Sequence, residues 1–561
     1  MFRLAACLYI MLFLFAAFGI TGCNTYYSEN IDTVAAPINT VVHEMPVAHK
    51  YYQQKVESKT EAFYRANKMT KKWLGKKQPS PEFKAFADEV KDSFKYGINP
   101  DDYSISELEA AVEKLYKNRK RTEAEMSELD IRITASYFLF TTHLLEGRIR
   151  NAGAKDYIWK RGTPHEDDVA MLLENDSKRE LRKEIEDLQP KDVQYGKLRE
   201  ALARYRELED RDRNVINMPQ AVQLKPGDTS DYIPAIRKRL MLTNDLKSGK
   251  AARDSTVYDS ALLNAVKQFQ RRHGLEEDAL INKELVGYLN MPFANMADII
   301  ALNLERLRWQ PHLPVKGEYI VVNVPEYMLH IYDNKKETFT MRVVLGSEFN
   351  ATPIFADTLK YIVFSPTWNV PKSILEEEFL PKLKEDPYHY SDDFTFFKGG
   401  EEIDPADEDW NAKDLNIAAY QAVQKPGPTN SLGYVKFIMP NNFNIYLHDT
   451  PADRLFNKKD RAFSHGCIRL EKPFELAEYL LRDQKRWNKK SIAQLASLDE
   501  PKTVHLKKTY PVHIVYRTAW VDDDGLINFR KDVYGHDERQ LAQLRATNHQ
   551  LLGYANDADP R

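Results

Sequence analysis

Cysteine is nearly absent from this chain, which has three in 561 residues. Cys7 lies in an apolar N-terminal run and Cys23 ends that run, so Cys467 alone belongs to the predicted folded body. A lone cysteine has no intramolecular partner, which excludes a disulfide framework. Free cysteine is often a small buried hydrophobe. In an exported chain it is also a candidate reactive thiol, and the residues around Cys467 decide between the two.

Other features that the sequence lacks argue against several classes of function, among them nucleic-acid and nucleotide binding. The net charge of −3, from 80 basic and 83 acidic side chains, gives no electrostatic reason to expect nucleic-acid binding. A glycine-rich phosphate loop is missing, so no cofactor is indicated. After the N-terminal segment no uncharged apolar run reaches the roughly 18 residues that a membrane span needs. We therefore expect one membrane-directed segment, at the N-terminus.

That N-terminal segment is typical of an exported chain. Arg3 precedes an uncharged apolar run from Leu4 to Ile20, which is followed by Thr21-Gly22-Cys23, a signal-peptide pattern. The ending resembles the lipobox of bacterial lipoproteins, which implies cleavage before Cys23 and lipid attachment to its sulfur. An uncleaved membrane anchor is the alternative. Either arrangement places the body in the cell envelope, on the periplasmic side of a membrane.

The residues around Cys467 favour a reactive thiol over a buried hydrophobic side chain. Gly466 and His465 precede it directly, and His448 lies nineteen positions upstream at the end of an apolar run that is typical of a strand. An imidazole removes a thiol proton and stabilises the thiolate. A glycine before the nucleophile suits a tight turn whose N–H groups face an oxyanion. The pattern predicts a cysteine nucleophile held ionised beside a histidine.

The segment Ser464-His465-Gly466-Cys467-Ile468-Arg469-Leu470, preceded by Leu447-His448-Asp449-Thr450, resembles the signature of the L,D-transpeptidase (YkuD-type) catalytic domain. The match is closest to the large form with a helical scaffold and a peptidoglycan-binding domain, over about residues 60 to 540. The resemblance implies that Cys467 attacks a stem-peptide carbonyl with His448 as base. Supporting roles in oxyanion binding, orientation or substrate contact fall to Tyr446, His465, Gly466 and Arg469.

The implied activity is peptidoglycan L,D-transpeptidation, in which a cysteine thioester intermediate leads to 3→3 cross-links between stem peptides. Stem peptides would be donor and acceptor, and the N-terminal lipid would hold the enzyme at the membrane. Two alternatives within the enzyme class are thioester hydrolysis (L,D-carboxypeptidase action) and attachment of a protein to peptidoglycan. A different class is a wall-binding scaffold lipoprotein without turnover, although intact Cys467 and His448 favour the enzyme.

A second base and a metal site are competing interpretations of the same residues. His465 is the other candidate base, but its place directly beside the turn suits orientation better. His448, His465 and Cys467 together resemble a three-ligand zinc set. However, no pair among them has the usual helix spacing, and a zinc-bound thiolate is not a free nucleophile. We expect no metal.

Along the chain the patterns predict a multidomain α+β fold. Residues 1–22 form the predicted signal peptide and 23–60 a tether. Helical spacing predicts a scaffold domain over 61–222, in which Leu129, Ile133, Ser136, Phe140 and Leu144 share one face. We interpret His143 in this region as structural. Short β-branched and aromatic runs over 299–540 predict a β-rich catalytic domain, either sandwich or barrel.

Two smaller units have open roles. Residues 223–293, through Phe269-Gln270-Arg271-Arg272-His273-Gly274-Leu275, resemble the three-helix peptidoglycan-binding domain. That family commonly has Asp-Gly where this chain has Asp278-Ala279, so the unit either binds glycan or packs against the catalytic domain. Residues from about 372 to 430 interrupt the strand pattern. They resemble a lid over the active site, with a mobile surface insertion as the alternative.

Overall fold

The computed structural model describes residues 38–43, 50–149, 168–174, 178–247, 255–309, 313 and 316–546. The predicted signal peptide and the lipid site at Cys23 lie outside these residues. The predicted tether over 23–60 is wrong where the structure describes it, because residues 38–43 and 50–60 are helical and place Val41, Val42, Tyr52 and Val56 in a buried apolar cluster. Helices occupy the described chain up to residue 309 and strands dominate after it. The predicted multidomain α+β fold class is confirmed.

Eight helices make up the first part of the described chain, and one buried apolar cluster joins most of them. Proline at the first turn and side-chain caps such as Ser80 and Thr122 start several of them. The helices are α1 (Ile38–His43), α2 (Lys50–Ala66), α3 (Pro81–Lys91), α4 (Ile105–Lys117), α5 (Glu123–Glu146), α6 (Asp168–Glu174), α7 (Lys178–Asp187) and α8 (Val193–Arg211).

Helix α5 differs from its sequence-based expectation. The pattern predicts one apolar face, yet the helix is buried nearly all round from Leu129 to Leu144, including polar residues such as Thr134 and His143. A helix surrounded by others buries every side and satisfies its polar groups internally. His143, for example, is within hydrogen-bond distance of the Tyr103 hydroxyl, 3.0 Å from Nδ1.

A second helical unit follows. Three of its helices share one buried cluster, and its α10 ends before Gly274, which has the left-handed conformation (φ 65°) that often terminates a helix. Ala279 is also left-handed (φ 59°), so alanine occupies a position that suits the glycine of the related family. The helices are α9 (Ile233–Leu242), α10 (Ser260–Arg272), α11 (Lys283–Leu289) and the connecting α12 (Phe293–Trp309).

The catalytic half contains a closed β-barrel. Eight strands pair in the cyclic order β3-β12-β10-β9-β4-β13-β1-β2, and β2 returns to pair with β3. The open choice between sandwich and barrel is thereby resolved. Its strands are β1 (Glu318–Asn323), β2 (Met328–Asp333), β3 (Lys336–Gly346), β4 (Ala356–Phe364), β9 (Val435–Ile438), β10 (Leu447–His448), β12 (Ile468–Leu470) and β13 (Lys502–Val515), with β11 (Ala462–Ser464) added beside β3.

The segment expected over 372–430 is a folded subdomain with its own apolar cluster around Leu383 and Trp410. Its four-stranded sheet has the order β5-β8-β6-β7, so β5 already belongs to it. The elements are β5 (Trp368–Asn369), α13 (Lys372–Ile374), a π-helical turn (Leu375–Phe379), α14 (Leu380–Glu385), β6 (Phe394–Lys398), β7 (Glu401–Ile403) and β8 (Tyr420–Gln424).

Residues near the end of the described chain contact both helical units. Hairpin β14 (Ala519–Val521) and β15 (Ile527–Phe529) shares a buried cluster with α8 and α12. The second helical unit packs there too, because Arg272 donates to the Ile527 carbonyl (3.0 Å) and Arg530 donates to the Arg272 carbonyl (3.0 Å). These contacts show packing against the region 299–540 that the sequence predicts as the catalytic domain, and glycan binding by the unit stays a prediction. The remaining helices are α15 (Pro473–Leu481), α16 (Lys489–Leu495) and α17 (His536–Arg545).

Among the described residues, no single helix is long and apolar enough to cross a membrane. Helices α11 and α12 reach that length and composition only together, and they are bent by 74° relative to each other.

Candidate active site

Three neighbouring barrel strands bring the predicted site residues to one face. Phe437, Leu447 and Ile468 point into the barrel's apolar cluster, and the β10 register pairs His448 with Lys436 on one side and with Arg469 on the other. Side chains alternate along a strand. Lys436, His448 and Arg469 therefore lie together on the face opposite the apolar cluster.

Cys467 is half-buried immediately before β12, beside this polar face. Burial raises the pKa of its thiol, while hydrogen bonds from Tyr446 and the charges of Lys436 and Arg469 partly oppose that rise. Burial therefore favours the protonated thiol at rest, whereas the sequence predicts an ionised one. A protonated thiol must lose its proton during attack.

His448 is buried, and burial lowers the pKa of its imidazole to about 3, with the Arg469 charge acting in the same direction. Nδ1 lies 2.5 Å from the Asp449 carbonyl oxygen. Because a carbonyl only accepts, Nδ1 carries the hydrogen and Nε2 keeps its lone pair. His448 is thus a neutral imidazole whose Nε2 is free to take a proton.

Tyr446 lies close to both the imidazole and the sulfur. Its ring centroid is 5.7 Å from that of His448, and its hydroxyl interacts with the Cys467 sulfur. The described residues contain no hydrogen bond between His448 and Cys467, whose sulfur lies 3.8 Å from the Asn444 carbonyl oxygen. Catalytic hydrogen bonds are often long before substrate binds, so the assignment of His448 as base stays a prediction.

The turn before the nucleophile depends on Gly466, which has φ of 111°, a conformation that favours glycine. Its N–H donates to Ser464 Oγ (3.1 Å), and its carbonyl accepts from Thr352 Oγ1 (2.8 Å). Gly466 therefore fixes the turn, while its own amide is already engaged. The Cys467 N–H and the Tyr446 hydroxyl are the remaining oxyanion-donor candidates.

Gly346 supports this turn from β3, a role that sequence reasoning missed. Its amide donates to Thr352 Oγ1 (2.9 Å), and its carbonyl accepts from the Tyr534 hydroxyl (2.8 Å). A Cβ at position 346 would overlap the Asn350 carbonyl oxygen and lie 3.0 Å from Gly466 Cα. Close approach of two backbone segments requires glycine here.

Gly346→Ala should accordingly displace the catalytic turn. We expect a loss of about 1 to 3 kcal/mol in unfolding free energy, as for overpacked cores, and a roughly 100-fold fall in acyl transfer because the nucleophile moves. Denaturant unfolding and turnover measure the two effects. Gly287→Ala is the matched control, because an added Cβ in α11 meets nothing within 4 Å. Wild-type turnover from Gly346→Ala would contradict the role assigned to Gly346.

His465 contacts the inserted subdomain. Its Nε2 lies 3.5 Å from Glu378 Oε1 in the π-helical turn of the inserted subdomain, and its side chain is half exposed. The insertion therefore reaches the catalytic turn through this contact. Among the described residues, no group of three His, Cys, Asp or Glu side chains has an arrangement that could hold a metal ion.

Lys436 is the site residue that sequence reasoning missed altogether. It lies on β9, and its Nζ is 3.8 Å from the Tyr446 ring centroid. The one available signal is its position, since it is the single charged residue in the apolar run Tyr434–Ile438. A charged side chain in such a run usually points into solvent. Lys436 is instead half-buried, and its charge acts on the Cys467 thiol.

Comparison with known proteins agrees with this geometry. Residues 317–514 match the family model of the L,D-transpeptidase catalytic domain (YkuD), and residues 58–202 match that of a scaffold domain. The chain carries an L,D-transpeptidase catalytic domain. This L,D-transpeptidase domain contains the barrel, the inserted subdomain and the predicted site residues, and the scaffold match covers most of the first eight helices.

Relatives of this chain include a Haemophilus influenzae protein named "Putative L,D-transpeptidase", 35% identical over 254 residues. That match covers 45% of this chain and 50% of the relative, so the chain spans about half the length of the curated protein it matches.

Similar solved structures include an L,D-transpeptidase fragment from Xylanimonas cellulosilytica (12% identity, TM-score 0.17, 53% of this chain and 100% of that one). Another is an L,D-transpeptidase from Stackebrandtia nassauensis (14% identity, TM-score 0.20, 53% of this chain and 97% of that one).

Proposed function

We propose that this protein is a peptidoglycan L,D-transpeptidase that forms 3→3 cross-links between stem peptides through a thioester on Cys467. The observation that carries the proposal is the shared polar face. A half-buried thiol, a neutral imidazole with a free Nε2 and two cations meet there, inside a domain that matches the L,D-transpeptidase family. Acyl transfer needs a nucleophile, a base and positive charge at the same place.

The first half of the reaction forms the thioester. The Cys467 sulfur attacks the carbonyl carbon of the third stem residue while its proton passes to His448 Nε2. The tetrahedral oxyanion accepts from the Cys467 N–H and the Tyr446 hydroxyl. Its collapse breaks the amide bond, and the imidazolium gives the proton to the departing D-alanine nitrogen. The free amino acid leaves, and the acyl group stays on sulfur.

The second half transfers the acyl group. The side-chain amine on the third residue of a neighbouring stem attacks the thioester carbon and gives a proton to His448. The carbon–sulfur bond breaks, the new amide forms, and the thiolate recovers the proton. If water attacks in place of the amine, the thioester is hydrolysed. We therefore assign to the inserted subdomain near His465 the role of admitting the amine and excluding water. This lid role is part of the proposal.

The direct test uses residues 24–561, purified without the N-terminal segment and incubated with disaccharide tetrapeptides. Mass spectrometry should detect a thioester adduct on the Cys467 peptide, followed by 3→3 dimers and free D-alanine. Free D-alanine and tripeptide without dimers would indicate a carboxypeptidase instead. No adduct and no release would favour the wall-binding scaffold without turnover, and it would overturn the proposal.

We propose further that the protein is a lipoprotein attached to a membrane through Cys23. In cells that express the full chain, the N-terminal peptide of the protein should begin at Cys23 and carry two acyl chains, which contribute about 0.8 kcal/mol of membrane affinity per buried CH₂. Mass spectrometry of that peptide is the measurement. A peptide that begins upstream of Cys23 and carries no lipid would favour the anchor alternative.

A further inference from the structure

Two cations at the active site, Lys436 and Arg469, have no carboxylate partner among the described residues. Both are half-buried, and within the part of the chain that the structure describes neither side chain forms a hydrogen bond or an ion pair. Arg469 Nε is buried without a hydrogen-bond partner. Lys436 contacts the face of the Tyr446 ring, with 3.8 Å from Nζ to the ring centroid.

Leaving two charges partly buried and unpaired is unfavourable unless an anion joins them. Arg342 in the same domain is a contrasting example, because its half-buried guanidinium is paired with Glu471 (2.9 Å from Nε to Oε1). The Cys467 thiol does not supply the missing anion at rest, because burial raises its pKa. The site is therefore electrostatically complete only when a negatively charged group enters it.

We propose that Lys436, together with Arg469, binds the terminal carboxylate of the donor stem peptide and so makes the enzyme selective for donors that end in a free D-residue. This inference rests on the proposed function. Lys436 is the new element, and its role is substrate recognition beside the reacting atoms.

The register of the strands places the two cations where they can hold a carboxylate close to the thiol. His448 lies between Lys436 on β9 and Arg469 on β12, and both charges act on the Cys467 sulfur. In the donor, only the amide nitrogen and one α-carbon separate the attacked carbonyl from the terminal carboxylate. A carboxylate held by the cations thus brings the scissile carbonyl to the thiol. A longer stem would put a neutral amide where the carboxylate belongs.

The test combines two protein variants with two donors. The donors are a disaccharide tetrapeptide with a free C-terminal carboxylate and the same compound with a C-terminal carboxamide. For wild type, kcat/KM of thioester formation should be about 10- to 100-fold higher with the free acid, the range for a charge-assisted contact. Lys436→Met, which keeps the aliphatic stem, should remove most of that preference by raising KM for the acid. Lys436→Arg should restore part of it.

Lys336→Met is the matched control, because Lys336 is an exposed lysine at the opposite end of β3. It should keep the wild-type preference. Lys436→Gln provides a second neutral variant if Lys436→Met unfolds at a lower temperature. An equal fall of kcat/KM for both donors, with a shifted pH profile of Cys467 alkylation, would show that Lys436 acts on the thiol and would overturn the inference. Wild type that reacts with neither donor would instead overturn the proposed function, and the inference with it.

Discussion

Replacing Cys467 with alanine is expected to lower acyl transfer roughly 10⁴-fold or more, to the level of the protein without its nucleophile. No other cysteine lies in the predicted folded body, so no thiol can substitute. The thioester adduct should disappear from mass spectra, and 3→3 dimers should disappear with it. The measurement is single-turnover acylation followed by muropeptide analysis.

The fold should survive this substitution. Cys467 is half-buried and precedes β12, so deleting its sulfur should cost no more than about 1 kcal/mol of unfolding free energy. Cys467→Ser is the near-isosteric companion. Its hydroxyl is a far weaker nucleophile beside a neutral imidazole, and it should also be inactive. Dimers formed by either variant at more than a tenth of the wild-type rate would refute the role of Cys467.

The local chemistry of this site could be predicted from sequence because the residues concerned are close in the chain or carry a specific pattern. Cys467, Gly466 and His465 are consecutive, and His448 ends a short strand. His448 ends β10, and Cys467 directly precedes β12, the strand that pairs with β10. The protonation state could not be predicted, since it depends on burial by residues from several strands.

Which β-strands pair with one another could not be predicted from the sequence either. Strands such as β1 and β4 are evident from β-branched and aromatic runs, and α15 from its proline and its apolar spacing. Which strands meet is a matter of non-local register. Closure through β2 and β3 and the parallel pairing of β10 with β12 carry no local signal. Lys436 was missed for this reason, because only the β9–β10 register brings it to His448.

Replacing His448 with glutamine is expected to slow thioester formation by about 10² to 10⁴-fold, the usual contribution of a positioned general base. Glutamine keeps a polar side chain of similar reach but cannot take the thiol proton. Single-turnover acylation at pH 7 measures the loss. His465→Gln is the control, since His465 lies against Glu378 in the insertion, and it should retain more than a tenth of the wild-type rate.

The pH dependence of Cys467 alkylation distinguishes a neutral thiol–imidazole pair from a thiolate–imidazolium pair. Burial raises the Cys467 pKa and lowers that of His448 to about 3, so both groups are neutral from pH 5 to pH 8. Alkylation of wild-type Cys467 by iodoacetamide should therefore keep rising with pH beyond pH 8.5, where an ordinary thiol is half ionised. His448→Gln should leave that profile unshifted, because the imidazole does not stabilise a resting thiolate. A plateau below pH 7 in wild type that His448→Gln abolishes would instead establish a thiolate–imidazolium pair.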